Sequence, residues 1–186
     1  MSTTTHTEIN GIDVIGMAEI AEGINSTPDL AQFQYRATNQ WIDGGLNRTT
    51  IDGFYGVGKE RGTATYVFDN DTPQVLCGHQ RGASPAVFML HALAGCFTTT
   101  LVYTAAAEGI HVESVEAKIA GNIDVRGVFG LDPDVRRGYN NIQIALKVRA
   151  DAPDDVIDRL IETTRDRSPL FETVTTPVPV AITRDR

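Results

Sequence analysis

The chain has 186 residues, enough for one domain with a sizeable core, alone or with an appended arm. Its formal net charge of −8 disfavours nucleic acid and anionic membrane surfaces as partners, because both require a positive face. Cys77 and Cys96 are too few for a disulfide scaffold and form no CxxC pair, which fits a reducing, cytoplasmic setting. No basic segment leads into an apolar run at the start, so no secretory signal is expected. Nor does any stretch approach the roughly 20 apolar residues of a membrane span.

Residues 1–32 read as an N-terminal arm, with a short helix ending near Gly23 and an irregular link through Pro28. From Phe33 the pattern turns strand-like. In "FQYRATNQW", Phe33, Tyr35 and Ala37 alternate with Gln34, Arg36 and Thr38, the period-2 signature of a half-buried strand. "DGG" at 43–45 signals a hairpin, and "NRTTIDGFYG" and "GTATYVFD" continue an antiparallel meander. "NDTPQVLCGHQRGASP" is a turn-rich loop.

Ser84-Pro85 then supplies an N-cap and a proline at the first helical position. Val87, Leu90, Leu93, Ala94, Phe97, Leu101 and Val102 keep a helical period, and Gly109 is the natural stop. The alanines and threonines of this long helix leave little polar surface, which predicts burial nearly all round. Two strands follow, in "HVESVEAKIAGNIDV" and "NNIQIALKVRA"; the second alternates cleanly and the first imperfectly. "DAPDDVIDRLIETTRDR" is an amphipathic helix with Val156, Ile157, Leu160 and Ile161 on one face. The chain closes with a short helical turn and a strand through Pro177 and Pro179, expected at a sheet edge. The order is that of an α+β domain over residues 33–186: a sheet meander, a long buried central helix and a second amphipathic helix.

Cys96 sits in the middle of the long helix, in "LHALAGCFTTT". On base rates a free cysteine there is an inert core residue. The segment "ASPAVFMLHALAGCFTTTLVYTAAAEGI", however, resembles the central helix of the OsmC/Ohr family, the osmotically induced and organic-hydroperoxide-resistance proteins. "GIHVESVEAKIAGNIDVRGVFG", "IQIALKVRADAP" and "RSPLF…PVPV" match in the same order, so the resemblance spans Phe33 to Ile182.

The resemblance implies an intertwined homodimer with sites at the subunit interface, and thiol-dependent reduction of organic hydroperoxides. It puts the peroxidatic cysteine at Cys96 and an activating arginine at Arg48, in "GGLNRTT". The chemistry agrees: only a thiolate is nucleophilic, apolar burial disfavours the thiolate, and an arginine stays charged while offering several donors. On its own terms Arg48 reads as a solvated turn residue, and only the resemblance sets the catalytic reading level with it.

Two departures stand out. Ala86 and Val87 occupy the positions where the family carries a glutamate that holds the arginine, and Ser168 stands where its second cysteine belongs. A hydroxyl cannot form a disulfide. Three outcomes stay open: a one-cysteine peroxidase served by an external thiol reductant, Cys77 as a substitute resolving residue, or loss of turnover with an apolar small molecule held at the dimer interface. Cys77 otherwise reads as a loop residue packed under the sheet. Tyr103, seven positions after Cys96, shares nearly its helix face and could line a pocket, although a buried core role has the better prior. His91 is about 140° around the helix from Cys96, poorly placed as its base. No His/Cys/Asp spacing suggests a metal, "GFYGVGKERG" precedes a strand and not a phosphate-binding helix, and no cofactor is expected. Asp124 and Arg126 read as a fold-supporting ion pair.

Overall fold

Two-residue turns set the strand pairing in the first half of the chain. The computed structural model describes residues 7–184. Strand β1 (Glu8–Ile9) turns through Asn10 and Gly11, both at positive φ, into β2 (Ile12–Asp13). Helix α1 (Val14–Ser26) follows, longer than its glycines suggest, capped where the Asp13 side chain accepts from Gly16 N; a single 3-10 turn, Pro28–Ala31, comes next. The segment read as one strand from Phe33 is two, β3 (Gln34–Tyr35) and β4 (Thr38–Asp43), broken at Arg36 and Ala37. Both pair antiparallel with β5 (Leu46–Gly56), whose other edge carries β6 (Lys59–Asn70).

Gly44 opens the β4–β5 turn at φ +56°, and a Cβ on Gly45 would stand 2.7 Å from Thr72 Oγ1, so the glycine pair suits both backbone and neighbours. Val57 and Gly58, also at positive φ, make the β5–β6 turn. The meander is therefore as expected.

By contact density the chain forms two units. One is built around Asp13–Met89; the other runs from Leu90 onward and takes in Ile9–Ile12. In the second, helix α2 (Pro85–Ala107) contributes all but its first residues. Its start is as predicted: Ser84 Oγ accepts from Val87 N at 3.4 Å and Ser84 O from Phe88 N at 3.0 Å. At the other end Ile110 N donates to Ala105 O (2.9 Å) and Gly109 N to Ala106 O (3.1 Å), with Gly109 at φ +75°, a Schellman motif. Ile110 then packs on the core it leads to.

Strands β7 (Val112–Ile123) and β8 (Tyr139–Ala150) form an antiparallel hairpin with one half-buried apolar face. The imperfect alternation of β7 has a cause: the register shifts between Val112 and Ser114, which resets which face each residue takes. Between the strands lies a short helix, α3 (Val125–Val128). Helix α4 (Asp154–Arg167) has Asp154 and Asp155 in its first turn and Arg165 and Arg167 in its last, complementing the helix dipole. Leu101, Ala105 and Leu160 form the buried centre, ringed by Val102, Val112, Val115, Leu146, Val148 and Ile161. Asn10 is tied into the same unit: its Nδ2 donates to Ile110 O and its Oδ1 accepts from Val112 N, each at 2.9 Å.

Three expectations are corrected. Helix α2 is not buried nearly all round; within the chain only Leu93, Phe97, Leu101, Thr104, Ala105 and Ala106 are buried. With 23 residues and a mean hydropathy of 1.6 over its most apolar window, it is also long and apolar enough to pass for a membrane span by length and composition, which the sequence reading did not foresee. After helix α5 (Pro169–Thr175), the described residues through Pro177 and Pro179 form no strand; neither proline has an N–H to donate to a ladder.

Candidate functional site

The sequence "RSPLF" ends one helix and starts the next on a single serine. Ser168 is the C-cap of α4 and the N-cap of α5, with Pro169 at the first helical position. Its Oγ accepts from Phe171 N at 3.3 Å, and its carbonyl accepts from Glu172 N at 3.1 Å. The turn delivers the hydroxyl to Cys96: Oγ and Sγ are 3.2 Å apart. Cys96 is half-buried, whereas Ser168 is only 2% exposed. One residue beyond the thiol, Phe97 meets Phe171 edge-on, ring centres 5.8 Å apart, which pins α5 against α2.

Arg48 belongs to the first unit. It lies on β5 directly opposite Asp69 of β6, and its Nε and Nη2 donate to the two carboxylate oxygens at 2.7 and 2.8 Å. The guanidinium holds the Asp69 carboxyl below the usual carboxylate range, and the carboxylate raises Arg48 in turn. Positions 86 and 87, Ala and Val, offer Arg48 no carboxylate. Asp69 supplies it, 21 residues along the chain, and only the strand register could have revealed it. Nearby, buried Asp71 accepts from Arg81 N (3.0 Å), Thr72 N (2.8 Å) and Arg81 Nε (3.3 Å), led in effect by the Arg81 backbone bond, and these hold its carboxyl low as well. Arg81 also donates to Asp43 O at 3.1 Å.

Cys77, in the first unit, is a free and exposed thiol at φ +64° ending a 3-10 turn, not a residue packed under the sheet. Tyr103 is 49% exposed on α2, so the expected core role does not hold within the chain. His91 is exposed on the same helix. The Asp124–Arg126 pair forms as read, at 2.6 Å between Oδ2 and Nη2, with Asp124 also capping α3. An open cavity of about 350 Å³ on the first unit is lined by Arg36, Ala37, Thr38, Gln40, Thr50 and Asp52, none of them a sequence-predicted site residue. Among the described residues, no three His, Cys, Asp or Glu side chains are grouped to hold a metal ion.

A family model described as "OsmC-like protein" matches residues 78–183, which include Cys96 and Ser168. The chain belongs to the OsmC-like family. Solved structures agree on the fold. An OsmC-like protein from Mycoplasma pneumoniae superposes with a TM-score of 0.60 at 16% identity, over 77% of this chain and 89% of the other. An OsmC-like protein of unknown function from Vibrio cholerae gives 0.55 at 11%, over 77% and 94%. An organic hydroperoxide resistance protein, OsmC, from Legionella pneumophila gives 0.50 at 14%, over 76% and 90%. No curated protein matches the sequence. The OsmC-like fold, α+β with antiparallel sheets and helices, is thus established, and the Cys96–Ser168 contact lies inside the matched segment.

Proposed function

We propose that this OsmC-like chain is a thiol-dependent peroxidase that reduces organic hydroperoxides with Cys96 as its reacting sulfur. The reading is carried by one observation: Cys96 Sγ lies 3.2 Å from Ser168 Oγ, the position that in the resembled family belongs to a second cysteine. The Cys96 thiolate attacks the terminal peroxide oxygen and the O–O bond breaks. The alkoxide leaves and takes up a proton, giving an alcohol and a sulfenic acid on Cys96. Ser168 cannot close a disulfide, so an external small thiol completes the cycle. One thiol displaces water from the sulfenic acid to form a mixed disulfide; a second attacks that disulfide, freeing Cys96 and leaving as the oxidised small molecule. The resemblance assigns the supporting positive charge to Arg48, whose guanidinium is paired with Asp69 in this chain.

The working form in this reading is an intertwined homodimer in the reducing cytoplasm, without nucleic-acid or membrane partners. Its support is exposed apolar surface: Trp41 is 71% exposed on the first unit's sheet, and Val87 and Tyr103 are about half exposed on α2. Two free cysteines and a net charge of −8 suit that setting.

A second reading, an apolar-ligand binding module without turnover, is favoured by the bidentate Arg48–Asp69 pair, in which the charge of the arginine is already engaged. Hydroperoxide-dependent consumption of a small dithiol separates the two. The enzyme reading expects turnover by the native chain and none by Cys96→Ala; equal consumption by both overturns it. Mass spectrometry of co-purified small molecules tests the binding reading.

A further inference from the structure

The hydroxyl of Ser168 is held from two sides. Its Oγ accepts from Phe171 N at 3.3 Å and lies 3.2 Å from Cys96 Sγ, and with the residue 2% exposed, bulk water has almost no access to it. An oxygen that accepts from the backbone on one side is free to turn its own proton to the other. There the acceptor is sulfur. While Cys96 is protonated, either atom can donate in this contact; once the sulfur is ionised, only the hydroxyl can. A bond to an ionised acceptor is roughly twice as strong as the neutral one, so the contact favours the charged sulfur.

From this arrangement we infer that Ser168 is a catalytic hydrogen-bond donor that stabilises the Cys96 thiolate, in place of a disulfide partner. The inference rests on the reading of Cys96 as the peroxidatic sulfur and deepens it. It assigns the serine a function before oxygen transfer, where a second cysteine would act only after it. No bond to Ser168 forms or breaks; its proton stays on Oγ throughout.

The test is the rate of Cys96 alkylation by iodoacetamide, followed by mass spectrometry across the pH range in which thiols ionise, in a Cys77→Ser background so that only one sulfur reacts. Ser168→Ala should react about tenfold more slowly at neutral pH, with the same plateau at alkaline pH, the loss expected for one hydrogen bond to a charged acceptor. Ser168→Thr keeps the hydroxyl and should restore the native profile. Because Ser168 also caps α5, Ser168→Gly is the second variant: glycine retains most of a cap's stability but has no hydroxyl, and should match Ser168→Ala. An unchanged profile in both Ala and Gly variants overturns the inference, as does a Thr variant as slow as Ala. Alkylation needs no hydroperoxide. A hydroxyl-dependent profile without hydroperoxide turnover would therefore uphold the donor and remove the peroxidase reading; turnover with an unchanged profile would do the reverse.

Discussion

Arg48 and Asp69 face each other across β5 and β6, and the guanidinium meets the carboxylate in two bonds of 2.7 and 2.8 Å. The pair is half exposed, so its worth to stability is small, and its use is to fix where the arginine points. Asp69→Asn keeps the shape and removes the charge. Under the peroxidase reading, turnover in this variant falls by about tenfold, on the scale of a lost charge-assisted contact. Measured hydroperoxide consumption at or above the native level would count against Asp69 as the orienting carboxylate.

The same carboxyl has a pH signature with a definite sign. Its folded-state ionisation is depressed, chiefly by the Arg48 hydrogen bond, so its stabilising share is present above the ordinary carboxylate pKa of about 3.9 and is lost as pH falls through the lower folded value. Native protein and Asp69→Asn should differ most in thermal midpoint at neutral pH and converge in acid. Asp71, held low by Arg81 and Thr72, loses its share in the same direction. A gap that widened in acid would contradict the assignment.

Ser168→Cys sets a second sulfur against the first. With Oγ already 3.2 Å from Cys96 Sγ, one equivalent of hydroperoxide should convert this variant to an internal disulfide, seen as a loss of two hydrogens in the intact mass. The native chain should stop at a sulfenic acid that dimedone traps. Trapping that is equally efficient in both proteins would mean the two side chains do not meet in solution.

Leu101 is fully buried at the centre of the second unit, and Leu101→Ala should cost about 2–5 kcal/mol in equilibrium denaturation. Two glycines on the same helix and its cap should move stability in opposite directions. At φ +75°, Gly109→Ala should destabilise by about 1–2 kcal/mol. At Gly95, inside the helix with nothing within 4 Å of an added Cβ, alanine should gain about 0.5–1 kcal/mol.

What could be read in advance was local. Ser84-Pro85 and Gly109 mark the limits of α2 because caps and left-handed stops are written in adjacent residues. Even the irregular alternation at Val112–Val115 was a true signal, of a register shift and not of a weak strand. Asp69 escaped notice because its partner is chosen by strand register across 21 residues. Tyr103 and the exposed side of α2 were misjudged for another reason. Composition reports how apolar a helix is, not how much of it a single chain covers. The final strand failed where Pro177 and Pro179 remove the donors a ladder needs.

Asn10 bears on where this protein can be cut. The sequence alone invites trimming everything ahead of Phe33 as a dispensable lead-in. Yet one carboxamide from that stretch completes the backbone pairing around Ile110 and Val112, a hundred residues downstream. A shortened chain would lose a lock on the very corner where the central helix hands over to its hairpin.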